Sequence, residues 1–345
     1  MQERIPNITI VDGVSADTLR DLYALYDEWL NEKPDILVKT SGSTGAPKEI
    51  YLDKTKVRAS AEATGRFFNF QKGQKALLAL STKHIAGKLM VVRALIHEMD
   101  LVVLPTNKNP LLNLSDNIHF DNNDLYFGAF VPYQVEAMLN DSKTRDLYES
   151  IEHVIIGGAP IKPTLEKEIR LLKNKNFATF GMTETITHFA LKNLQKEAAL
   201  FECLPGFEID VDERGCLVIQ SNIITDNLVT NDLVRLADHS RFEWLGRADF
   251  VINSAGYKIS PEQVEAKLAK HLGDSEFILF GVDDEKWGER LVLFIEGTID
   301  LGSSDWPAVW RFCGLEKYEI PKEIVFISEL ERTPSNKIIR KDYRS

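Results

Sequence analysis

The segment Thr40-Ser41-Gly42-Ser43-Thr44-Gly45-Ala46-Pro47-Lys48 decides how the rest of the chain is read. It carries four hydroxyls, two glycines and a lysine, follows the apolar run Ile36-Leu37-Val38, and precedes a helix-compatible stretch over 53–70. Glycines let successive backbone N–H groups converge on one point, hydroxyls add donors and the lysine adds charge, so the loop suits a polyphosphate. It is not the G-x-x-x-x-G-K-[ST] loop, because Pro47 stands where the second glycine would fall. A flexible Ser/Gly linker is the other reading of such a composition. Pro-Lys running into a helix speaks against it.

The 345 residues, 44% apolar and 27% charged, suit about two globular domains. A net charge of −11 gives no electrostatic case for nucleic acid or an anionic membrane surface. Cys203, Cys216 and Cys313 show no metal-ligand spacing, and their odd count argues against a disulfide framework, so reduced, partly buried thiols are expected. Met1-Gln2-Glu3-Arg4-Ile5-Pro6 does not read as a signal peptide, and no apolar run approaches transmembrane length. The expectation is a cytoplasmic enzyme, monomer or homodimer, without stable membrane insertion.

In chain order, a helix is expected over 18–30, with Leu19, Leu22, Tyr23, Tyr26 and Leu30 on one side, Asp17 as cap and Pro34 as stop. Residues 76–104 read as strand, loop, helix, strand, the alternation of α/β architecture with parallel strands. Such folds bind ligands in loops at the carboxyl ends of strands, which singles out 81–88 with His84 and Lys88. Lys88 and Arg93, five apart, do not share a helix face well, and either reads as a plain solvated charge. A loop over 106–123, a strand-like run over 124–133 and a helix over 134–147 follow. The strand 153–156 ends in Gly157-Gly158-Ala159-Pro160, either an ordinary strand-to-helix turn or a place where a flat ring approaches backbone. A helix over 161–172 leads to 176–180 and then Gly181-Met182-Thr183-Glu184-Thr185, which by itself is only a helix start. Short strands are expected at 217–220 and 223–224, before Val229-Thr230-Asn231-Asp232. Ser260 and Pro261 begin a helix as cap and first residue, and Ser275 reads as a turn residue.

The 40–48 loop closely resembles the phosphate-binding signature of the adenylate-forming superfamily, which includes acyl-CoA synthetases, luciferases and peptide-synthetase adenylation domains. Further motifs follow in that family's order up to residue 337, and the chain is identified as a member on that basis. The flank 181–188 and the early position of the loop are most similar to compact o-succinylbenzoate–CoA ligases. The resemblance implies an α/β fold. A large multi-sheet N-terminal adenylation domain, shortened at its N-terminus, would span 1–247, and a small mobile α+β C-terminal domain would span 248–345, with its hinge at Asp249.

It also implies roles. Thr40, Ser41, Gly42, Ser43, Thr44, Gly45 and Lys48 would hold phosphates. Gly157, Gly158, Ala159 and Pro160 would wall the adenine, with Phe180, Gly181 and Met182; Phe180 replaces the usual Tyr and keeps the ring face. Thr183 would bind the α-phosphate and Glu184 Mg2+, a hard ion that takes oxygen ligands. Asp232 would accept both ribose hydroxyls in a motif where Asn231 replaces the usual Gly; Asn tolerates the positive φ of a turn. Arg247 would contact ribose and phosphates, and Gly256 and Lys258 would serve the thioester step. Lys337, preceded by Asn336 rather than Gly, would bridge carboxylate and α-phosphate, where a cation stabilises developing charge. His84, Lys88, Thr187 and His188 are the candidates for the acid pocket, His84 beside the reacting acyl group.

The chemistry so implied is attack of a carboxylate on the α-phosphate of Mg-ATP, giving an acyl-adenylate and pyrophosphate, then displacement of AMP by the thiol of CoA after the last domain turns. The alternatives are an aryl- or short-acyl-CoA ligase of other specificity, a stand-alone adenylation enzyme loading a carrier protein, and a non-catalytic nucleotide-binding relative.

Overall fold

Apolar runs separated by helices, too far apart for hairpins, become parallel strands in the first half of the chain. The computed structural model describes residues 6–39, 49–114, 125–224, 227–273, 275–299, 305–332 and 338–344. The phosphate-loop expectation at 40–48 and the expectation for Lys337 lie outside the described residues. Two units are present: 1–161 with 168–208 and 220–228, and 162–167 with 209–219 and 229–345.

The first unit holds β1 (Ile8–Ile10), β2 (Asp35–Lys39), β3 (Glu49–Asp53), β4 (Lys75–Leu78), β5 (Asp100–Val103), β6 (Leu125–Phe130), β7 (His153–Ile156), β8 (Lys175–Gly181), β9 (His188–Asn193) and β10 (Phe201–Cys203). In space they run β1-β5-β4-β6-β7-β8-β9-β10, with β2 and β3 as a separate antiparallel ribbon. Every pairing from β1 to β8 is parallel, and β9 and β10 add on antiparallel. Parallel strands are covered on both faces and so read as continuous apolar runs; Ala76–Leu78, Leu101–Val103 and Val154–Ile156 are all buried.

Its helices include α1 (Ala16–Leu30), α2 (Lys54–Phe68), α3 (Ile85–Ile96), α4 (Pro132–Leu139) and α5 (Ser142–Ser150), with α6 (Pro163–Ile169) next in sequence. Four expectations need correction. Ser15, not Asp17, caps α1, accepting the Thr18 N–H at 3.1 Å. The buried face of α1 is Leu22, Leu25, Tyr26 and Trp29, while Tyr23 and Leu30 are exposed. The helix expected over 134–147 is two helices, because Asp141 caps the second by accepting the Lys143 N–H at 2.9 Å. Residues 223–224 are buried but form no strand.

The second unit carries most of β11 (Phe207–Val211), β12 (Cys216–Ser221), β13 (Leu228–Leu236) and β14 (Arg241–Arg247), ordered β14-β13-β12-β11. A smaller sheet follows from β15 (Ile252–Ser254), β16 (Tyr257–Ile259), β17 (Phe277–Asp284), β18 (Gly288–Glu296) and β19 (Glu323–Ile327), ordered β16-β15-β18-β17 with β19 parallel to β18. α7 (Pro261–Leu272) and α8 (Trp306–Phe312) close it through Val264, Leu268, Leu279, Leu293, Val309 and Trp310. Ser260 occupies the N-cap of α7 but does not cap with its side chain; its hydroxyl donates to the Leu245 carbonyl at 2.7 Å. The α/β architecture with a smaller α+β C-terminal part is as expected. Cys203, Cys216 and Cys313 are buried thiols, in no disulfide among the described residues.

Candidate active site

Within the first unit, the segments singled out by sequence leave the carboxyl ends of β4, β7 and β8, the edge where parallel sheets bind ligands. The register Ile156↔Ala178 sets Gly157 beside Thr179, and a Cβ at Gly157 would overlap the Thr179 hydroxyl. Phe180 is half-buried, edge-on to Phe189 at 5.8 Å and to Phe201 at 5.2 Å. Gly181 has a steric reason: a Cβ there would overlap the Thr187 carbonyl and the His188 Cα. The motif thereby folds back on the start of β9.

That return is held by Thr185. Its hydroxyl accepts the Met182 N–H at 3.0 Å and contacts the Met182 and Thr187 carbonyls at 2.9 and 2.6 Å. Ile186 is forced to φ 68° and ψ −54°, and the Thr187 N–H closes on the Thr185 carbonyl at 2.7 Å. This is the strained form of the γ-turn, and it is costly for a β-branched residue. The strain is maintained immediately after Thr183 and Glu184, where backbone outliers commonly accompany function. Glu184 is exposed and Thr183 half-buried. Among the described residues no group of three metal-ligating side chains is present. A single exposed carboxylate fits Mg2+, which binds through one or two carboxylates plus substrate phosphates.

The acid-pocket candidates separate. His84 stands at the N-cap of α3 with its ring exposed. Lys88 is neither exposed nor unpaired: its ammonium meets Glu28 of α1 at 2.6 Å, and Glu28 also accepts the Leu37 N–H of β2 at 2.6 Å. His188 is buried, hydrogen-bonded at 3.4 Å to Thr64 of α2, and burial together with the Arg93 charge holds it well below the ordinary histidine value.

Arg93 is the residue that sequence reasoning set aside as a solvated charge. It is only 1% exposed, and its Nε and Nη2 have no hydrogen-bond partner among the described residues. Burial pulls it down to about 9. The available signal was its setting in Leu89-Met90-Val91-Val92-Arg93-Ala94-Leu95, a helix with no polar face to carry a cation to water.

In the second unit, Asp232 and Arg247 are direct partners across β13 and β14. Asp232 is buried, accepts the Trp244 indole N–H at 3.0 Å, and lies 3.9 Å from Arg247, which also pairs with Asp249 at 2.7 Å. Burial opposes the Arg247 cation, but Asp249 and Asp232 outweigh it and hold it above the ordinary value. Asn231 needs no positive φ, since it continues β13, where its side chain accepts from Arg214 at 3.0 Å. Trp244 was not anticipated; nothing local in the sequence links it to Asp232. Ala255 and Gly256, with φ of 52° and 83°, form the two-residue turn between β15 and β16, and Lys258 is exposed on β16.

The model of the AMP-binding enzyme family matches residues 27–215, more than half of the chain. The chain belongs to that family. Among AMP-binding relatives, a Bacillus cereus protein named 2-succinylbenzoate–CoA ligase is 26% identical over 361 residues, 93% of this chain and 72% of its own length. A Bacillus subtilis protein of the same name is 25% identical over 338 residues, 88% and 67%. The solved acyl-CoA synthetase (AMP-forming)/AMP-acid ligase II-like protein of Dyadobacter fermentans superposes with a TM-score of 0.64 at 34% identity, covering 94% of this chain and 92% of that one. The o-succinylbenzoate CoA synthetase of Bacillus subtilis, solved with an acyl-adenylate intermediate, reaches 0.73 at 23% identity, covering 91% and 70%, a likeness of fold. The resemblance read from the motifs is thereby borne out. No helix among the described residues is long and apolar enough to cross a membrane.

Proposed function

We propose that this chain is an ATP-dependent acid–CoA ligase acting through an acyl-adenylate, with o-succinylbenzoate as its acid and menaquinone biosynthesis as its pathway. The observation that carries the choice of acid is Arg93, a fully buried cation with two unpaired nitrogens. A buried charge without a partner costs several kcal/mol, of order 3–5. An acid with one carboxylate to activate and a second to anchor supplies that partner. A monocarboxylate leaves it missing. His188, which feels the Arg93 charge, hydrogen-bonds Thr64. Lys88, already paired with Glu28, is not needed as the anchor.

In this reading Phe180, Gly181, Met182 and residues 157–160 serve the adenine, Thr183 the α-phosphate, and Thr40, Ser41, Gly42, Ser43, Thr44, Gly45 and Lys48 the phosphates. Asp232 and Arg247 serve the ribose, His84 the acyl group, and Gly256 and Lys258 the thiol step. Lys337 is the cation at the reacting phosphorus. Glu184 is the residue to hold Mg2+, which when bound offsets the charge of the phosphate oxygens. Asp249 is the pivot between 1–247 and 248–345. We place the enzyme in the cytoplasm, as monomer or homodimer, with acid, ATP and CoA as its small-molecule partners.

The test is coupled AMP release with ATP, Mg2+, CoA and a panel of acids. CoA-dependent turnover with o-succinylbenzoate and little with benzoate or acetate is expected. Equal turnover of o-succinylbenzoate and benzoate would refute the anchor. Pyrophosphate without thioester would point to a carrier-protein acceptor.

A further inference from the structure

β13 and β14 slip by one residue at Leu245. Asp232 pairs with Arg247 and Leu233 with Gly246, but Val234 pairs with Trp244, so Leu245 has no partner across the ladder. Successive side chains on a strand point to opposite faces, and one extra residue turns over everything beyond it. In an unbroken ladder Trp244 would stand opposite Arg235, on the face away from Asp232. The bulge sets it opposite Val234 instead, on the face that Val234 shares with Asp232.

The bulge is held from outside the ribbon. The Leu245 carbonyl accepts the Ser260 hydroxyl at 2.7 Å. Gly246 has a φ of 129°, and a Cβ there would overlap the Ser260 hydroxyl and the Glu262 carboxylate. The result is that the Trp244 indole N–H donates to Asp232 Oδ1 at 3.0 Å. Asp232 is 7% exposed and Trp244 37%, so the slip brings an indole N–H to the carboxylate without sinking the ring into a core. The backbone before it is fixed too. The Asp232 N–H donates to the Thr230 hydroxyl at 3.0 Å, and Arg214 donates to the Thr230 carbonyl at 3.2 Å. Arg247 stands 3.9 Å from Oδ2, beyond hydrogen-bond reach. A carboxylate oxygen accepts more than one bond. The indole therefore stops the group from turning about its own axis while leaving it able to accept from a ligand.

We infer that Trp244 is a positioning residue for Asp232 and a determinant of sugar specificity: its N–H fixes the plane of the carboxylate that receives the two hydroxyls of a nucleotide's ribose. This rests on the ribose role proposed above for Asp232. Loss of the N–H should weaken a ribonucleotide more than a 2′-deoxynucleotide, which offers only one of those hydroxyls.

The experiment uses the full chain and compares wild type, Trp244→Phe, Trp244→Leu, Asp232→Ala and the double variant Trp244→Phe with Asp232→Ala, with melting curves to establish folding. Both Trp244 variants delete the N–H, and either one, once folded, carries the test. Affinity for ATP and for 2′-deoxy-ATP is read by titration calorimetry, and kcat and KM by coupled AMP release. ATP is expected to bind about tenfold more weakly, the loss of one hydrogen bond to a charged group. The loss for 2′-deoxy-ATP should be smaller, kcat and the KM for acid should stay near wild type, and the Phe change should add nothing in the Asp232→Ala background. Equal losses for the two nucleotides, no loss in folded variants, or full additivity with Asp232→Ala would overturn the inference while leaving the ribose role standing. An Asp232→Ala variant that discriminates between the two nucleotides as wild type does would overturn that role and the inference with it.

Discussion

Arg93 and Arg340 are both withdrawn from solvent, yet their surroundings are opposite. Arg340 has a bidentate carboxylate, a carbonyl and an aromatic face. Burial works against its charge, but Glu265 outweighs that and holds it above the ordinary arginine value. Arg93 has unpaired nitrogens, and burial alone sets its shift downward. A buried cation whose bonds are met by its own chain organises that chain. One whose bonds are unmet is suited to an anion from outside.

The sharpest way to break this contrast is Arg93→Met. Truncating one member of a desolvated charge pair costs about 2–5 kcal/mol of binding, so kcat/KM for o-succinylbenzoate should fall about thirtyfold or more. Removing a buried cation with two nitrogens unpaired among the described residues should not lower the melting temperature. A drop in melting temperature with normal kinetics would show Arg93 to be structural. The converse holds for Arg340→Met: it leaves Glu265 uncompensated, and equilibrium denaturation should register a loss of about 3–5 kcal/mol.

Gly181→Ala should act next, since a methyl there presses on Thr187 and His188. Overpacking costs about 1–3 kcal/mol, and the KM for the dicarboxylate should rise as His188 is displaced. An unchanged KM would separate His188 from the Arg93 pocket.

The smallest effect is in pH. Burial first, and Arg93 second, hold His188 well below its ordinary value, and burial with the Lys175 charge takes His153 to about 4. The unfolded chain therefore binds protons that the folded chain refuses, and stability falls as the pH drops from about 6.5 toward about 4. Melting temperatures across that range should show a shallower slope in His188→Asn. An identical slope would mean that His153 carries the acid limb.

Much of the first unit was legible before the structure. Alternating apolar runs and helical spacing located β4, α3, β5, β7 and β8, because continuous apolar runs between helices admit few arrangements other than a doubly covered parallel sheet. The motifs around Phe180, Asp232 and Arg247 were legible as residue types. Two finer readings failed on local chemistry. Asn140-Asp141 divides α4 from α5 because an aspartate cap competes with helix continuation. Asn231 sits in a strand where a turn was expected.

By itself the sequence determined the family, the order of its motifs and the chemistry those side chains are able to perform, because these depend on residue type and spacing along the chain. Only the tertiary structure decided which charges are satisfied. Glu28 lies 60 residues before Lys88 in sequence and Glu265 lies 75 before Arg340, so pairing emerges only when the chain folds. For the same reason the anchor proposed for the second carboxylate is Arg93 rather than Lys88, which already holds Glu28. Both cations on α3 are buried, but among the described residues another element brings a carboxylate to Lys88 and none to Arg93.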